Sequence, residues 1–311
     1  MALDHRSLTS ATAGWRARRA DHHDSARAAG ERALTRLIEG ARLELVPMGS
    51  LPRAIGELAP GADVSVTCSP ARSIEATLDV CAELADLGHR PVPHLSARMV
   101  ASAGHLEAIH GRLGELGLRE VFLVGGDADP PGCFVDALEL LDALLELDGA
   151  PGARHVDHVG VTAYPDTHPT IPGERLHEAL HRKQATILAS GRTAHASTQM
   201  CFDPVRIEAW LRDERAAGLR LPVHLGIAGV IDTAKLMSTG VRLGVGPSLR
   251  YLRKNRRALG ALLTQRSYEP GDLLRPLAPM LDELGVGGLH VFTFNQVAAT
   301  RAWRERALAR A

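Results

Sequence analysis

Beyond its first forty residues the chain repeats one grammar eight times: a short apolar run of strand length, a turn, then a longer stretch with apolar residues at three and four spacing. The runs are LELVP (43–47), VSVTC (64–68), RPVPHL (90–95), EVFLVG (120–125), HVGVTA (158–163), ASTQMC (196–201), PVHLGI (222–227) and GLHVFTF (288–294). Helical spacing is clearest in IEATLDVCAELADLG, HLEAIHGRLGELG and FVDALELLDALLEL, the first two closing on a glycine that can end a helix. Strands alternating with helices predict a parallel sheet, and eight such units predict a single-domain α/β fold, a (β/α)8 TIM barrel over 41–311. Residues 1–40 have helical apolar spacing only near their end, at Leu34, Leu37 and Ile38, and read as an N-terminal arm leading into a helix. A doubly wound dinucleotide fold would need GxGxxG after the first strand. None stands there, and the late GVGPSLR (244–250) lacks that spacing. DGAPGARHVD (148–157) reads as a loop before the fifth strand.

Among the 311 residues, 36 Lys plus Arg balance 36 Asp plus Glu, which removes the basic footprint expected of a nucleic-acid partner. A chain that is 45% hydrophobic and 23% charged has globular composition, not that of a disordered protein. No run approaches the roughly 18 uninterrupted apolar residues of a membrane span. The start, MALDHRSLTS, lacks the segments of a secretory signal, so a cytoplasmic protein is expected. Cys68, Cys81, Cys133 and Cys201 stand far apart with no CxxC, and reduced, mostly buried thiols are expected.

In such a barrel the C-terminal ends of the strands and the loops after them build the site. Glu44 lies between Leu43 and Leu45, and by the two-residue period it points into the barrel if those leucines pack on helices. Thr67 ends the second strand, His94 the third, Asp127 follows the fourth in VGGD, Tyr164 and His168 follow the fifth in AYPDTHP, and Gln199 lies toward the end of the sixth. Each has a plainer reading: Glu44 as an edge residue or partner of a buried arginine, His94 as a strand cap, Asp127 as a turn residue or helix N-cap. Their shared position argues for a site. HEALH (177–181) matches HExxH, in which two histidines one helical turn apart bind zinc. His177 and His181 flank the apolar stripe Leu176, Leu180, Lys183 and Ile187 on a helix expected outside the barrel, so the match reads as coincidence and no metal is expected.

Over about residues 42 to 300 these segments resemble the methylenetetrahydrofolate reductase family, (β/α)8 barrels that use FAD. LELVP is similar to the family's FEFFP and puts Glu44 on its catalytic glutamate. VSVTC resembles VSVTYG and PHLSA resembles PHLT, putting Thr67 and His94 at flavin contacts. GGDADPPG is similar to RGDxPPG, with Asp127 on the aspartate beside the flavin, and AYPDTHP to AYPEVHPE, with Ala163, Tyr164 and His168 at flavin contacts. HRK falls near the family's KRK, which implies Arg182 and Lys183 near the cofactor phosphates. STQMCFD resembles ITQFFFD and puts Gln199 on the folate-contacting glutamine; HVFTFN resembles FHFYTLN, and Gln296 takes the place of a substrate-side arginine. Gly125 stands where the family has arginine, and Thr233 near its stacking phenylalanine.

The resemblance implies a flavoprotein oxidoreductase of one-carbon metabolism and methionine biosynthesis. Its reaction interconverts 5,10-methylenetetrahydrofolate and 5-methyltetrahydrofolate, with NADH or NADPH as co-substrate and hydride passing through FAD. Opening the folate to its 5-iminium cation needs a proton at N10. A desolvated carboxyl group can stay protonated near neutral pH, which suits Glu44 as general acid, while an anionic Asp127 stabilises the cation and Gln199 meets the pterin edge. The same residues would serve an enzyme running in the oxidative direction or one without tightly bound FAD. In another class, the chain would be a catalytically inactive folate- or flavin-binding subunit, a reading against which Glu44, Asp127 and Gln199 speak. A homo-oligomer is a family-level expectation.

Overall fold

The computed structural model describes residues 25, 27–242 and 267–310, apart from the side chains of 239–242. Most of the N-terminal arm and the GVGPSLR segment lie outside the described residues. A helix over 27–39 (α1) leads into β1 (Arg42–Leu45), α2 (Leu51–Gly56), β2 (Asp63–Val66), α3 (Ile74–Asp86), β3 (Arg90–Ser96), α4 (Ala103–Glu115) and β4 (Glu120–Val124). Then come α5 (Ala137–Asp148), β5 (His158–Ala163), α6 (Gly173–Ala189), β6 (Thr193–Thr198), α7 (Pro204–Ala216) and β7 (Val223–Ala228). An antiparallel ribbon of β8 (Ile231–Asp232) and β9 (Ser267–Tyr268), with helices α8 (Thr233–Arg242) and α9 (Gly271–Leu277), precedes β10 (Val286–Phe292) and α10 (Val297–Leu308). Ser73, Ser102, Asp136 and Asp203 open α3, α4, α5 and α7, their side-chain oxygens accepting backbone N–H groups of the first turn.

The strands close in the order β1-β10-β7-β6-β5-β4-β3-β2, each neighbouring pair parallel, so the fold is the expected single-domain (β/α)8 barrel. All eight expected strands are present. β6 differs most, starting at Thr193 and ending at Thr198, so Gln199 follows the strand and does not lie within it. Met200, which made the expected run look apolar, packs beyond the strand end with Phe202, Ala228, Ile231 and Tyr268. β3 continues past His94 to Ser96. Asp148 is also not a loop residue: it ends α5, buried, and its carboxylate binds the Arg192 guanidinium, His110 Nε2 at 3.0 Å and the backbone N–H groups of His155 and Val156.

Strand alternation separates two environments. Leu43, Leu45, Val64, Val66, Leu123 and Val161 face outward into one apolar core with the helices. The lumen face carries Glu44, Ser65, His94, Phe122, His195 and His290, polar and imidazole groups where branched aliphatics would be usual. Gly160 makes room for the rings, since a Cβ there would lie 2.3 Å from Phe122 and 2.7 Å from His195. At the N-terminal end of the lumen Arg42 of β1 reaches Glu120 of β4 with two hydrogen bonds, 2.5 and 2.9 Å. This bidentate pair fixes the width of the barrel between those strands.

None of the four cysteines is in a disulfide; Cys81 and Cys201 are buried, Cys68 is half-buried and Cys133 exposed. Among the described residues no helix is long and apolar enough to cross a membrane.

Candidate active site

Two groups of side chains gather the sequence candidates. The first lies in the lumen. Glu44, 8% exposed, meets His290 of β10 at 2.9 Å between its Oε2 and the histidine Nε2. Either a carboxylic acid at Glu44 or an Nε2–H on His290 supplies the hydrogen of that contact. A nitrogen of His94 lies within 4.8 Å of both, its ring 5.8 Å from that of His290 and 4.6 Å from Phe122. Burial, then the charges of His290 and Arg42, push His94 well below the usual histidine range, so it is neutral at physiological pH. Its Nε2 is buried with no hydrogen-bond partner among the described residues, a vacancy of bonding that native cores seldom tolerate.

The strand carrying Glu44 is held from the far end of the chain. Asn295 accepts the Val46 N–H at 2.9 Å and donates to the Val46 carbonyl at 2.9 Å and to Ser50 Oγ at 3.0 Å. Thr293 Oγ1 donates to the Glu44 carbonyl at 2.5 Å. To bring these groups inward the chain takes positive φ at Phe294 (50°) and Asn295 (60°), backbone geometry that asparagine tolerates better than phenylalanine.

The second group lies on the loops after β4 and β5. Tyr164 and His168 meet edge to face, ring centres 5.4 Å apart. His168 Nδ1 accepts the backbone N–H groups of Thr170 and Ile171, at 3.3 and 3.2 Å, which leaves Nε2–H as a donor. Asp127 is exposed, and its charge reaches both rings. Burial raises the Tyr164 phenol, with the Asp127 charge adding to it, while burial lowers His168 and Asp127 opposes that fall. Gly126 precedes Asp127 at φ 85°, where a Cβ would also strike Ser96 Oγ at 1.8 Å, so only glycine fits. Arg98 staples the loop, its N–H donating to the Gly125 carbonyl at 3.0 Å and its Nε to the Ala128 carbonyl at 2.7 Å.

The remaining candidates separate. Ala163 ends β5 and accepts the Gln199 backbone N–H at 2.8 Å, while the Gln199 side-chain oxygen is taken by the Met200 N–H. Thr67 extends the ladder beyond β2 by donating to the Leu45 carbonyl at 3.0 Å. Gln296 is half-buried at the start of α10. Lys183 is buried, with Thr162 Oγ1 at 3.5 Å, and burial lowers its amine to about 8 despite the charge of Asp136. Arg182 is exposed, because adjacent helical residues point about 100° apart, so the two cations do not share a direction. The two described cavities lie elsewhere: about 200 Å³ below the strand starts, between Asp63, Arg90 and Arg304, and about 20 Å³ between Leu43, Val291 and Trp303.

Sequence reasoning passed over His290, although its place between the outward Leu289 and Val291 marks it as lumen-facing by the same period that flagged Glu44.

The architecture is that of a (β/α)8 barrel, a fold in which the C-terminal mouth is the usual place for a site. No family model matches the sequence. Among solved structures the chain is similar to an uncharacterized protein from Clostridium thermocellum that binds two copies of 5-methyl-5,6,7,8-tetrahydrofolic acid. The identity is 12%, with 87% of this chain and 95% of that one covered and a TM-score of 0.55. Weaker likenesses are to a putative phosphonomutase from Burkholderia cenocepacia J2315 (13% identity, 92% and 98% covered, TM-score 0.48) and to Burkholderia cenocepacia dihydropteroate synthase complexed with 7,8-dihydropteroate (15%, 87% and 91%, TM-score 0.44). At such identities the likeness is one of fold.

Proposed function

We propose that this protein reduces 5,10-methylenetetrahydrofolate to 5-methyltetrahydrofolate at the barrel mouth, with NADH or NADPH as reductant and FAD as the hydride carrier. The Glu44–His290 pair carries the reading. It sets a buried carboxyl group of the first strand against an imidazole, beside the unpartnered His94 Nε2. Glu44 delivers its proton to N10, where it stays in the product, and opens the ring; hydride from the reductant adds to the freed methylene carbon, solvent reprotonates Glu44, and His290 orients the carboxyl group. Asp127, exposed on its loop, presents negative charge to the iminium cation that opening creates. The Gln199 amide retains its NH2 as a donor for the pterin edge, since its oxygen already holds Met200 N–H. A folate ligand is supported by the tetrahydrofolate bound in the Clostridium thermocellum barrel.

The donor set fits FAD at its phosphate end. Lys183 is a buried cation with no carboxylate within ion-pair distance among the described residues, and a diphosphate would complete it. When bound, FAD would relay hydride from the nicotinamide to the folate. A second reading, direct hydride transfer from NAD(P)H without FAD, is favoured by Gly125, which offers no side chain where the family has arginine, and by the exposure of Arg182.

The test is oxidation of NADH and NADPH that depends on 5,10-methylenetetrahydrofolate, measured on protein whose flavin content has been read from its visible spectrum. Turnover that needs bound or added FAD supports the carrier; equal turnover in flavin-free protein supports direct transfer. Absence of folate-dependent oxidation in both contradicts the reductase reading.

A further inference from the structure

HEALH is not an isolated pair of histidines. Glu214, on the neighbouring helix α7, meets both: its Oε2 lies 2.9 Å from His177 Nδ1 and 2.9 Å from His181 Nε2. The helix explains the approach, since residues four apart on α6 present their rings on one face, here 4.4 Å centre to centre. Glu214 takes a place in the buried stripe of α7 with Ile207 and Leu211, where an apolar residue would be the ordinary choice. Its side chain is 7% exposed, and among the described residues no lysine or arginine pairs with it. A carboxylate buried against two imidazoles alone lacks the charge compensation that such burial normally requires.

We propose that His177, His181 and Glu214 bind a zinc ion on the outer helical layer, with a fourth position open to water. Two imidazole nitrogens and one carboxylate oxygen are a common zinc donor set. All three donor atoms lie within 4.8 Å of one another. Tetrahedral zinc with bonds of about 2.0–2.1 Å would hold them about 3.3 Å apart, so each contact to Glu214 opens by a few tenths of an ångström. In binding the ion His177 Nδ1 and His181 Nε2 present their lone pairs, and each ring carries its N–H on the other nitrogen. Exposure rises from Glu214 at 7% through His181 at 22% to His177 at 47%, which gives the ion a route in from solvent. The ion neutralises Glu214 and clamps α6 to α7. Glu178, the motif's would-be base, is 53% exposed and lies 3.7 Å from Arg175, so the site is a clamp and not a peptidase centre.

The whole protein, stripped with a chelator and titrated with Zn2+, is expected to take up one ion per chain and to gain thermal stability. His177→Ala and His181→Ala, whose folding is checked by circular dichroism, are each expected to weaken binding by more than about a hundredfold, beyond the loss of an outer contact. Co2+ in place of zinc is expected to give the visible absorption of a tetrahedral N/O site in the unaltered protein alone. Failure to bind zinc stoichiometrically overturns the proposal, as does full binding by both alanine variants, which would assign the ion to another cluster.

Discussion

Lys183 sits on the inward face of α6 with one long hydrogen bond to Thr162 and no carboxylate at ion-pair distance among the described residues. Its amine is lowered by burial from 10.5 to about 8. At about 1.4 kcal/mol per pH unit, keeping that group charged in the folded protein costs about 3 kcal/mol at neutral pH. Below pH 8 the folded and unfolded chains are both protonated and the full penalty stands. Between pH 8 and 10.5 the unfolded chain still holds the proton that the folded chain has released, so stability from this group rises with pH; above 10.5 the penalty is gone. Lys183→Met keeps the volume and removes the charge. It is expected to be more stable than the unaltered protein by about 3 kcal/mol at pH 7 in urea denaturation, the gap closing as pH rises toward 10.5. If Lys183 serves the diphosphate of FAD, the same variant should bind FAD roughly 10- to 100-fold more weakly, the worth of one charged hydrogen bond. A variant that is less stable at pH 7, or a gap that does not change with pH, refutes the reasoning.

Two further perturbations test the scaffold that positions the site. Burial raises the Asp148 carboxyl, but hydrogen bonds from His110, Arg192 and the backbone of His155 and Val156 outweigh it and hold the group at about 2. Its contribution of about 2.5 kcal/mol is present above pH 3.8 and lost as pH falls through 2, and Asp148→Asn, which leaves the buried Arg192 unpaired, should cost about 3–5 kcal/mol in denaturant titrations at pH 7. Asn295→Ala strands the Val46 N–H and C=O and retains a positive φ, so a loss of about 3 kcal/mol or more is expected; Asn295→Gly, freed of the φ penalty, should lose about 1 kcal/mol less.

The period-two alternation made the barrel legible, because the strands put an apolar face outward against helices whatever the lumen holds, Ala194 and Ala196 in β6 included. It displaced β6 by three residues, because Met200 just beyond the strand is apolar but belongs to a different cluster. Glu44 was readable from its strand neighbours, and so was His290 by the same rule. The Asn295 clamp was not, for it joins positions 249 residues apart through a turn of positive φ. Glu214 was hidden for a related reason: its meeting with His177 and His181 depends on α7 lying beside α6, which no local spacing encodes.

The central claim is that Glu44 supplies the proton that opens the folate. Rapid mixing of 5,10-methylenetetrahydrofolate and NADH or NADPH, in the presence of FAD, with the unaltered protein and with Glu44→Gln, followed by chromatography of the folates, tests it most directly. The account predicts that 5-methyltetrahydrofolate forms with the unaltered protein and falls by at least about a thousandfold in the variant, within the range of general acid catalysis, while NADH or NADPH still binds with unchanged affinity. A glutamine variant that forms product at the normal rate contradicts it.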